Sequence, residues 1–144
     1  SLVYRRALKY GLPTDYLKSY NEYLGVSKKW EWVDDIVITL SDGSRCFFTH
    51  GMSANILQLS MQMGMHVVQG HYHSKFSIGY FSNPDQLVWG MQVGCLTSQS
   101  SLAFDYAKNF KSRFIMGCGM IIDGQPKLMP MVFGKDGEWI KKIA

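Results

Sequence analysis

The sequence lacks the features that identify a secreted or membrane protein. It contains only three cysteines, and Cys46, Cys95 and Cys118 are widely spaced in apolar surroundings, with no CxxC arrangement. This pattern excludes a disulfide framework and a cysteine metal knuckle, and it predicts buried thiols in a reducing compartment. No apolar run approaches the roughly 18 residues that a membrane helix needs, and the first residues lack the apolar stretch of a secretory signal. We therefore expect a cytoplasmic protein with no membrane partner.

A long run of charges of one sign is also missing. The net charge is +4, but the basic residues occur in short groups scattered along the chain. A modest positive charge favours polyanionic partners such as nucleic acid, whereas scattered charges are equally typical of a solvated surface. The content of 47% hydrophobic and 18% charged residues is that of a folded chain, and 144 residues suit one core. We therefore predict a single domain over residues 1–144.

Two short helices are predicted at the start of the chain. Residues 2–10 have a helical pattern of apolar side chains, and Thr14 can cap a second helix that ends at Gly25. Three tyrosines recur at helical spacing in this second segment, namely Tyr16, Tyr20 and Tyr23. Such spacing predicts a packing stripe.

From Trp30 the pattern changes and becomes rich in strands. DDIVITL and SRCFFTH predict a hairpin with an SDG turn, Ser53 is the expected cap of a helix that ends at Gly64, and HVVQG predicts a buried strand. Strand, helix and strand in this order indicate a βαβ unit with parallel pairing. Further strands are predicted in KFSIGYF, QLVWGMQVG, RFIMGCGMIID and KLMPMVF, followed by a GKDG turn. The fold class is therefore α/β (α+β), with many strands and few helices.

Histidine is scarce and unevenly placed: the chain has four, and none lies in the first 49 residues. His50 follows the first strand of the βαβ unit, and His71 and His73 follow the second. Because neighbouring parallel strands end at the same edge of a sheet, these three side chains are expected to converge. In an extended segment, residues 71 and 73 point to one side and Tyr72 to the other. His66 lies inside the strand and is expected to be a hydrogen-bonded core residue.

Three imidazoles at one sheet edge favour a transition-metal site. Neutral imidazole binds Zn²⁺, Mn²⁺ and Fe²⁺ well, whereas Ca²⁺ and Mg²⁺ prefer oxygen ligands. Gly70 would let the backbone turn toward a bound ion without a Cβ in the way. The candidate metal ligands are therefore His50, His71 and His73. A coincidental grouping of packing histidines is the alternative that the sequence leaves open.

The same residues resemble a known family. FTHG at 48–51 and VVQGHYH at 67–73 are similar to the last two metal motifs of the calcineurin-like metallophosphoesterases, a lone His and then GHxH. VGCL, FDYAKN and IIDGQPKLMPM resemble the tail of many phage and bacterial members, so the resemblance covers the chain from about residue 30 onward. It implies the strand-rich C-terminal half of an αββα sandwich that hydrolyses phosphate mono- or diesters with two Mn, Zn or Fe ions. It further implies that His50 and His71 bind the second ion and His73 the first.

The upstream motifs of that family, DxH, GD and GNH[DE], are missing from the sequence, where Asp34 and Asp35 lie in WVDDIV instead. Two divalent ions carry four positive charges, and three neutral imidazoles offset none of them. We therefore expect this chain to be the C-terminal portion of such an enzyme, inactive until a missing N-terminal half or companion chain completes the site. Strand edges left open in an isolated half would favour a homo-oligomer.

The residues near the histidines suggest substrate contacts, and the sequence also leaves two alternative functions open. Three polar side chains near the histidines are candidate substrate contacts, namely Tyr72, Lys75 and Asn55, and the sequence assigns no catalytic residue. A noncatalytic remnant or assembly module of the same fold is one alternative. A nucleic acid binder without metal is another, and it requires Tyr80, Phe81 and Trp89 to form one exposed face for base stacking.

Overall fold

The computed structural model describes residues 2–97, 114–135 and 139–143. The chain divides into two compact units, residues 1–33 and 34–144. Our expectations for FDYAKN and for part of the GKDG turn fall outside the described residues. Within the described ranges, no helix has the length and apolar character to cross a membrane. The predicted fold class is confirmed, because strands dominate and helices are few.

The first unit contains two short helices and one 3-10 turn. Helix α1 (Leu2–Lys9) matches the prediction, but the second predicted helix is wrong over residues 14–19. A 3-10 turn occupies Thr14–Tyr16, and helix α2 (Tyr20–Leu24) begins only after Ser19. The Ser19 hydroxyl accepts a hydrogen bond from the Glu22 backbone N–H, and the Glu22 carboxylate accepts one from the Ser19 N–H. This reciprocal cap starts a new helix at that point.

The predicted tyrosine stripe of the first unit does not form. Tyr23 is 77% exposed because the five-residue α2 buries none of its side chains, and Tyr16, which lies in the preceding 3-10 turn, is 84% exposed. Trp32 contributes the ring contacts of this unit, with Tyr20 at 5.4 Å and Trp30 at 6.2 Å between ring centroids. The Trp32 indole N–H also donates to the side-chain oxygen of Asn21. An aromatic group after α2 therefore organises this unit.

The second unit contains a five-stranded sheet in the order β1-β2-β3-β5-β4. The central pairs β2–β3 and β3–β5 are parallel, and the outer pairs β1–β2 and β4–β5 are antiparallel. The predicted hairpin and the parallel βαβ pairing are both confirmed. The strands are β1 (Asp35–Thr39), β2 (Arg45–Thr49), β3 (His66–Gln69), β4 (Phe76–Ser82) and β5 (Leu87–Val93).

A second sheet of three antiparallel strands follows in the order β6-β7-β8. Trp89 and Met91 of β5 pack with Ile121 and Leu128 of this sheet, so the main core lies between the two sheets. The Trp89 indole N–H donates to the carbonyl of Gly124 at 3.1 Å, which adds a polar tie between the layers. The strands are β6 (Gly117–Ile122), β7 (Gln125–Phe133) and β8 (Trp139–Ile143).

Helix α3 (Ile56–Met63) covers the opposite face of the larger sheet. Its Ile56 and Leu59 pack on Phe47 and Val67. The helix approaches β5 so closely that a Cβ on Gly90 would lie 2.7 Å from the carbonyl oxygen of Ile56. The layers of the second unit are therefore helix, sheet and sheet.

The caps of α3 set the loop that follows His50. The expected cap at Ser53 is wrong, because the Asn55 side chain accepts the backbone N–H of Gln58 at 3.0 Å and caps the helix. The Ser53 hydroxyl instead accepts the N–H of Asn55 at 3.2 Å, which stabilises the turn before the helix. Gly64 ends the helix in the left-handed conformation, as predicted.

Candidate metal centre

The structure brings His50 and His71 into direct contact beyond the parallel strands β2 and β3. Each strand ends at the same edge of the sheet, and His50 follows Thr49 immediately. The Nδ1 atom of His71 lies 3.1 Å from the Nε2 atom of His50, and the ring centroids are 5.0 Å apart. Both side chains are exposed, so the pair is open to ions from solvent.

The backbone that carries His71 is a tight turn. His71 has φ 64°, in the left-handed region that non-glycine residues seldom adopt. The Gly70 carbonyl accepts the N–H of Tyr72 at 2.7 Å, and the Tyr72 carbonyl accepts the N–H of Lys75 at 2.7 Å. The prediction that residues 71–73 are extended is therefore wrong. The Tyr72 ring does not face away but lies 5.0 Å from the His71 ring, edge to face.

The glycine that permits the histidine contact is Gly51. A Cβ on Gly51 would overlap the Cβ of His71 and lie 3.0 Å from its Cγ, so only glycine fits beneath this ring. A Cβ on Gly70 would meet only the His50 carbonyl oxygen at 3.6 Å, an ordinary contact. Contacts within the protein therefore do not require glycine at position 70. The sequence signal for the close approach at Gly51 was the HG dipeptide at 50–51, in which a residue without a Cβ directly follows a candidate ligand.

His73 lies near the His50–His71 pair but does not complete a three-residue metal-binding group with it. Its ring centroid is 5.2 Å from that of Phe114, and its carbonyl accepts the N–H of Ile115 at 2.9 Å. Burial lowers the pKa of His73, and the charges of His71 and His50 lower it further. Among the described residues there is no group of three or more His, Cys, Asp or Glu side chains placed to hold an ion. The structure thus brings together two of the three predicted ligands.

A buried glutamine positions the loop after His50, and the sequence reading missed it. Gln69 is completely buried, its side-chain oxygen accepts the N–H of Met52 at 3.1 Å, and its amide donates to the carbonyl of Ser53. Gln92 pairs with Gln69 across β3 and β5, and its amide donates to Ala54 at 3.4 Å. The signal was a glutamine near the end of each apolar run, in VVQ and in GMQV.

Two of the three candidate substrate residues line one cavity beside α3. This cavity of about 400 Å³ is bordered by Asn55, Lys75, Ser77 and Gln92, together with apolar atoms of Leu57. Lys75 is exposed and supplies a positive charge at the cavity. The third candidate, Tyr72, contacts His71 instead.

The aromatic residues of the nucleic acid alternative do not form one exposed face. Trp89 is only 2% exposed, so its ring cannot stack on a base. Tyr80 is paired with Trp89 across β4 and β5, and Phe81 is the next residue along β4. Because side chains alternate along a strand, Phe81 lies on the other face of the sheet from Tyr80.

The geometry of the histidine pair suits a single transition-metal ion. Two imidazole nitrogens bound to one zinc ion at about 2.0–2.1 Å are separated by about 2.9–3.4 Å for angles between octahedral and tetrahedral. The separation of 3.1 Å lies within that range. The two rings share one N–H hydrogen bond, and a bound ion would take the place of that hydrogen. Comparisons with family models, with curated proteins and with solved structures give no match to this chain.

Proposed function

We propose that this chain is the histidine-bearing half of a metal-dependent phosphoesterase that hydrolyses phosphate mono- or diesters. His50 and His71 bind one divalent transition ion, Mn, Zn or Fe, and His73 contributes to a second ion in the complete binuclear site. The contact between the two imidazole rings carries the proposal, because their nitrogens are 3.1 Å apart. The helix, sheet and sheet layering of residues 34–144 is compatible with part of an αββα sandwich.

The donor set of this chain fits one ion better than two. Imidazole is neutral, and no carboxylate joins the pair among the described residues. Holding two dications close together requires anionic ligands to offset their charge. We therefore propose that a missing N-terminal half or a companion chain supplies carboxylates and that the isolated chain is inactive.

The remaining residues of the site would bind and orient the substrate. Lys75 attracts a phosphate group by its charge, and Asn55 offers an amide at the same cavity. Tyr72 packs its ring edge against His71 and holds the imidazole in place. When bound, the ions would neutralise charge on the phosphoryl oxygens and activate a water molecule.

Zinc and manganese titrations of the purified chain test this proposal. We expect His50→Ala and His71→Ala to weaken zinc binding by at least about 100-fold, because each removes a direct ligand. His66→Asn is the matched control, since it removes an imidazole from β3, the strand before His71, without touching the pair. Equal metal affinity in the wild type and both alanine variants would overturn the proposal. Calorimetry on the folded chain gives the affinities, and circular dichroism shows that each variant folds.

An assembly module is the second candidate, and strand β1 favours it. Ile36, Val37 and Ile38 are each 42–43% exposed, although β-branched apolar residues on an edge strand normally require cover. Antiparallel pairing of two copies about Val37 would place Asp35 opposite Thr39, so no like charges would meet. We therefore propose a homo-oligomer through β1. Light scattering should show a dimer that Val37→Lys converts to a monomer, whereas a monomeric wild type would contradict it.

We also propose a reducing compartment, the cytoplasm. Cys46, Cys95 and Cys118 are all free thiols, of which Cys46 is buried and the other two are half-buried. Burial raises the pKa of the Cys46 thiol to about 12, so it stays protonated and unreactive. Thiol counting with a small reagent should find Cys46 unmodified in the folded chain and modified after denaturation.

A further inference from the structure

A second polar cavity lies at the opposite end of β3 from the histidine pair. It has a volume of about 260 Å³ and is lined by Arg45, His66, Gln86, Leu87 and Val88, among others. This is below the roughly 300 Å³ at which pockets begin to accommodate drug-sized ligands, so it suits a small group. Among the described residues that line this cavity, none is Asp or Glu.

The hydrogen bonds of His66 define what it presents to the cavity. Its Nδ1 atom accepts the backbone N–H of Trp89 at 3.2 Å, and its ring is stacked on the Trp89 indole with centroids 4.4 Å apart. The residue is 8% exposed, and burial lowers its pKa, which keeps the ring neutral. A neutral imidazole that accepts at Nδ1 carries its proton on Nε2. The Nε2–H group is therefore a donor, and no acceptor for it occurs among the described residues.

Two further donors border the same cavity. Arg45 precedes Cys46, which is paired with His66 across β2 and β3, and its exposed guanidinium is always charged. Gln86 brings its side-chain amide to within 3.9 Å of the position that a Cβ on Gly64 would occupy. The cavity thus combines one cation with two neutral N–H donors.

Two nearby groups oppose an anion, and both are engaged in hydrogen bonds within the fold. The Asp42 carboxylate acts on His66, but it accepts hydrogen bonds from the Ser44 N–H at 2.9 Å and from the Ser44 hydroxyl at 2.6 Å. The C-terminus of α3 at Gly64 carries a partial negative charge, which the Gly64 N–H offsets by donating to Ser60 and Met61. Because Asp42 stays ionised, its charge balances that of the Arg45 guanidinium, and an anion must be held by directed N–H donors rather than by net charge.

We propose that Arg45, His66 and Gln86 form a binding site for a small oxyanion, a phosphate or a carboxylate group. The guanidinium fork donates hydrogen bonds to two oxygens of the anion, and the Nε2–H of His66 donates to the anion from within the fold. This site does not depend on the proposed phosphoesterase activity, because it lies at the other end of β3 and uses none of the metal ligands.

Phosphate and acetate titrations followed by NMR test the site. The experiment uses the His50→Ala, His71→Ala double variant in metal-free buffer, so that no ion at the histidine pair can bind the anion. Saturable shifts of the His66 ring signals are expected with at least one of the two anions, and the better one identifies the ligand class. Arg45→Gln should weaken binding by at least about tenfold, because a charged hydrogen bond is lost. His66→Asn should also weaken it, since asparagine keeps an acceptor for Trp89 and removes the Nε2–H donor.

The control is Lys127→Gln, which removes one positive charge from an exposed position on β7. It should bind the anion as tightly as the parent chain. Equal weakening in Arg45→Gln and Lys127→Gln would show nonspecific charge attraction and overturn the site. An absence of shifts at phosphate and acetate concentrations far above physiological would overturn it as well, whatever the metal titrations show.

Discussion

The two ends of β3 carry the same residue type in opposite environments. At the amino end, His66 is buried, stacked on Trp89 and bonded through Nδ1 to a backbone N–H. Beyond the carboxyl end, His71 is exposed, has a left-handed backbone and contacts the ring of His50. The difference shows that the partner of an imidazole nitrogen determines its chemistry. A bond to a backbone N–H fixes a neutral ring, whereas a second imidazole leaves a pair of exposed nitrogens, at which we propose that an ion binds.

The largest expected effect concerns the packing at the amino end. Trp89→Ala removes the buried ring that stacks on His66 and joins the two sheets, and it should lower the free energy of unfolding by about 3–5 kcal/mol. Urea denaturation measures the loss. Tyr80→Ala is the matched control, because Tyr80 is the cross-strand neighbour of Trp89 and is half exposed. A similar loss in both variants would show that Trp89 does not anchor this end.

A smaller effect is expected from the glycine beneath the histidine pair. Gly51→Ala forces its new Cβ into His71, so it should lower the free energy of unfolding by about 1–3 kcal/mol and separate the two rings. Gly70→Ala is the control, with an expected loss below about 1 kcal/mol, because only the His50 carbonyl lies nearby at 3.6 Å. Thermal denaturation of both variants compares them. Equal stability of the two would mean that the close approach at Gly51 relaxes freely.

The left-handed backbone at residue 71 predicts a still smaller difference. His71→Gly should be more stable than His71→Ala by about 1 kcal/mol, because glycine adopts φ 64° without a Cβ penalty. Both variants remove the imidazole, so the comparison isolates the backbone. At the amino end, His66 lies in a regular strand, and His66→Gly should be less stable than His66→Ala. If the alanine variant were the more stable one at both positions, the backbone strain assigned to residue 71 would be contradicted.

The sequence predicted the elements that have a periodic pattern of apolar residues and missed the features that depend on single contacts. Alternating and continuous apolar runs with Asp-Gly and Gly signals predicted the β1–β2 hairpin, α3 and the parallel β3 correctly. The second predicted helix failed because the Ser19 cap competes with helix continuation, and helical spacing does not reveal such competition. The tyrosine stripe failed for the same reason, since its helix is too short to bury a face.

The candidate site was likewise predicted only in part. Parallel pairing alone was enough to place His50 and His71 at one edge of the sheet, but it could not give the turn that rotates residues 71–75 out of the extended conformation. Parallel pairing also could not indicate that Gln69 and Gly51 support the pair. Both roles depend on contacts between residues that are distant in the sequence, namely Gln69 with Met52 and Gly51 with the His71 side chain. Sequence periodicity predicts which edge a residue reaches, whereas its neighbours at that edge are set by tertiary packing.

The smallest expected effect is a pH dependence at the amino end. Burial lowers the pKa of His66 below its ordinary value of 6.5, and the nearby Asp42 only partly opposes this. As the pH falls below about 6.5, the unfolded chain takes up a proton while the folded ring stays neutral, so stability declines until the pH reaches the folded pKa. The decline from this one group is at most about 1.4 kcal/mol per pH unit. His66→Asn lacks the titrating ring and keeps an acceptor for the Trp89 N–H, so the stability difference between wild type and variant should shift in favour of the variant between pH 7.5 and pH 5.5. Urea denaturation at several pH values measures this difference, in which the titrations of the other histidines cancel. A difference that is constant with pH would mean that His66 binds its proton equally well in both states, and the contrast between the two ends of β3 would then be one of packing alone.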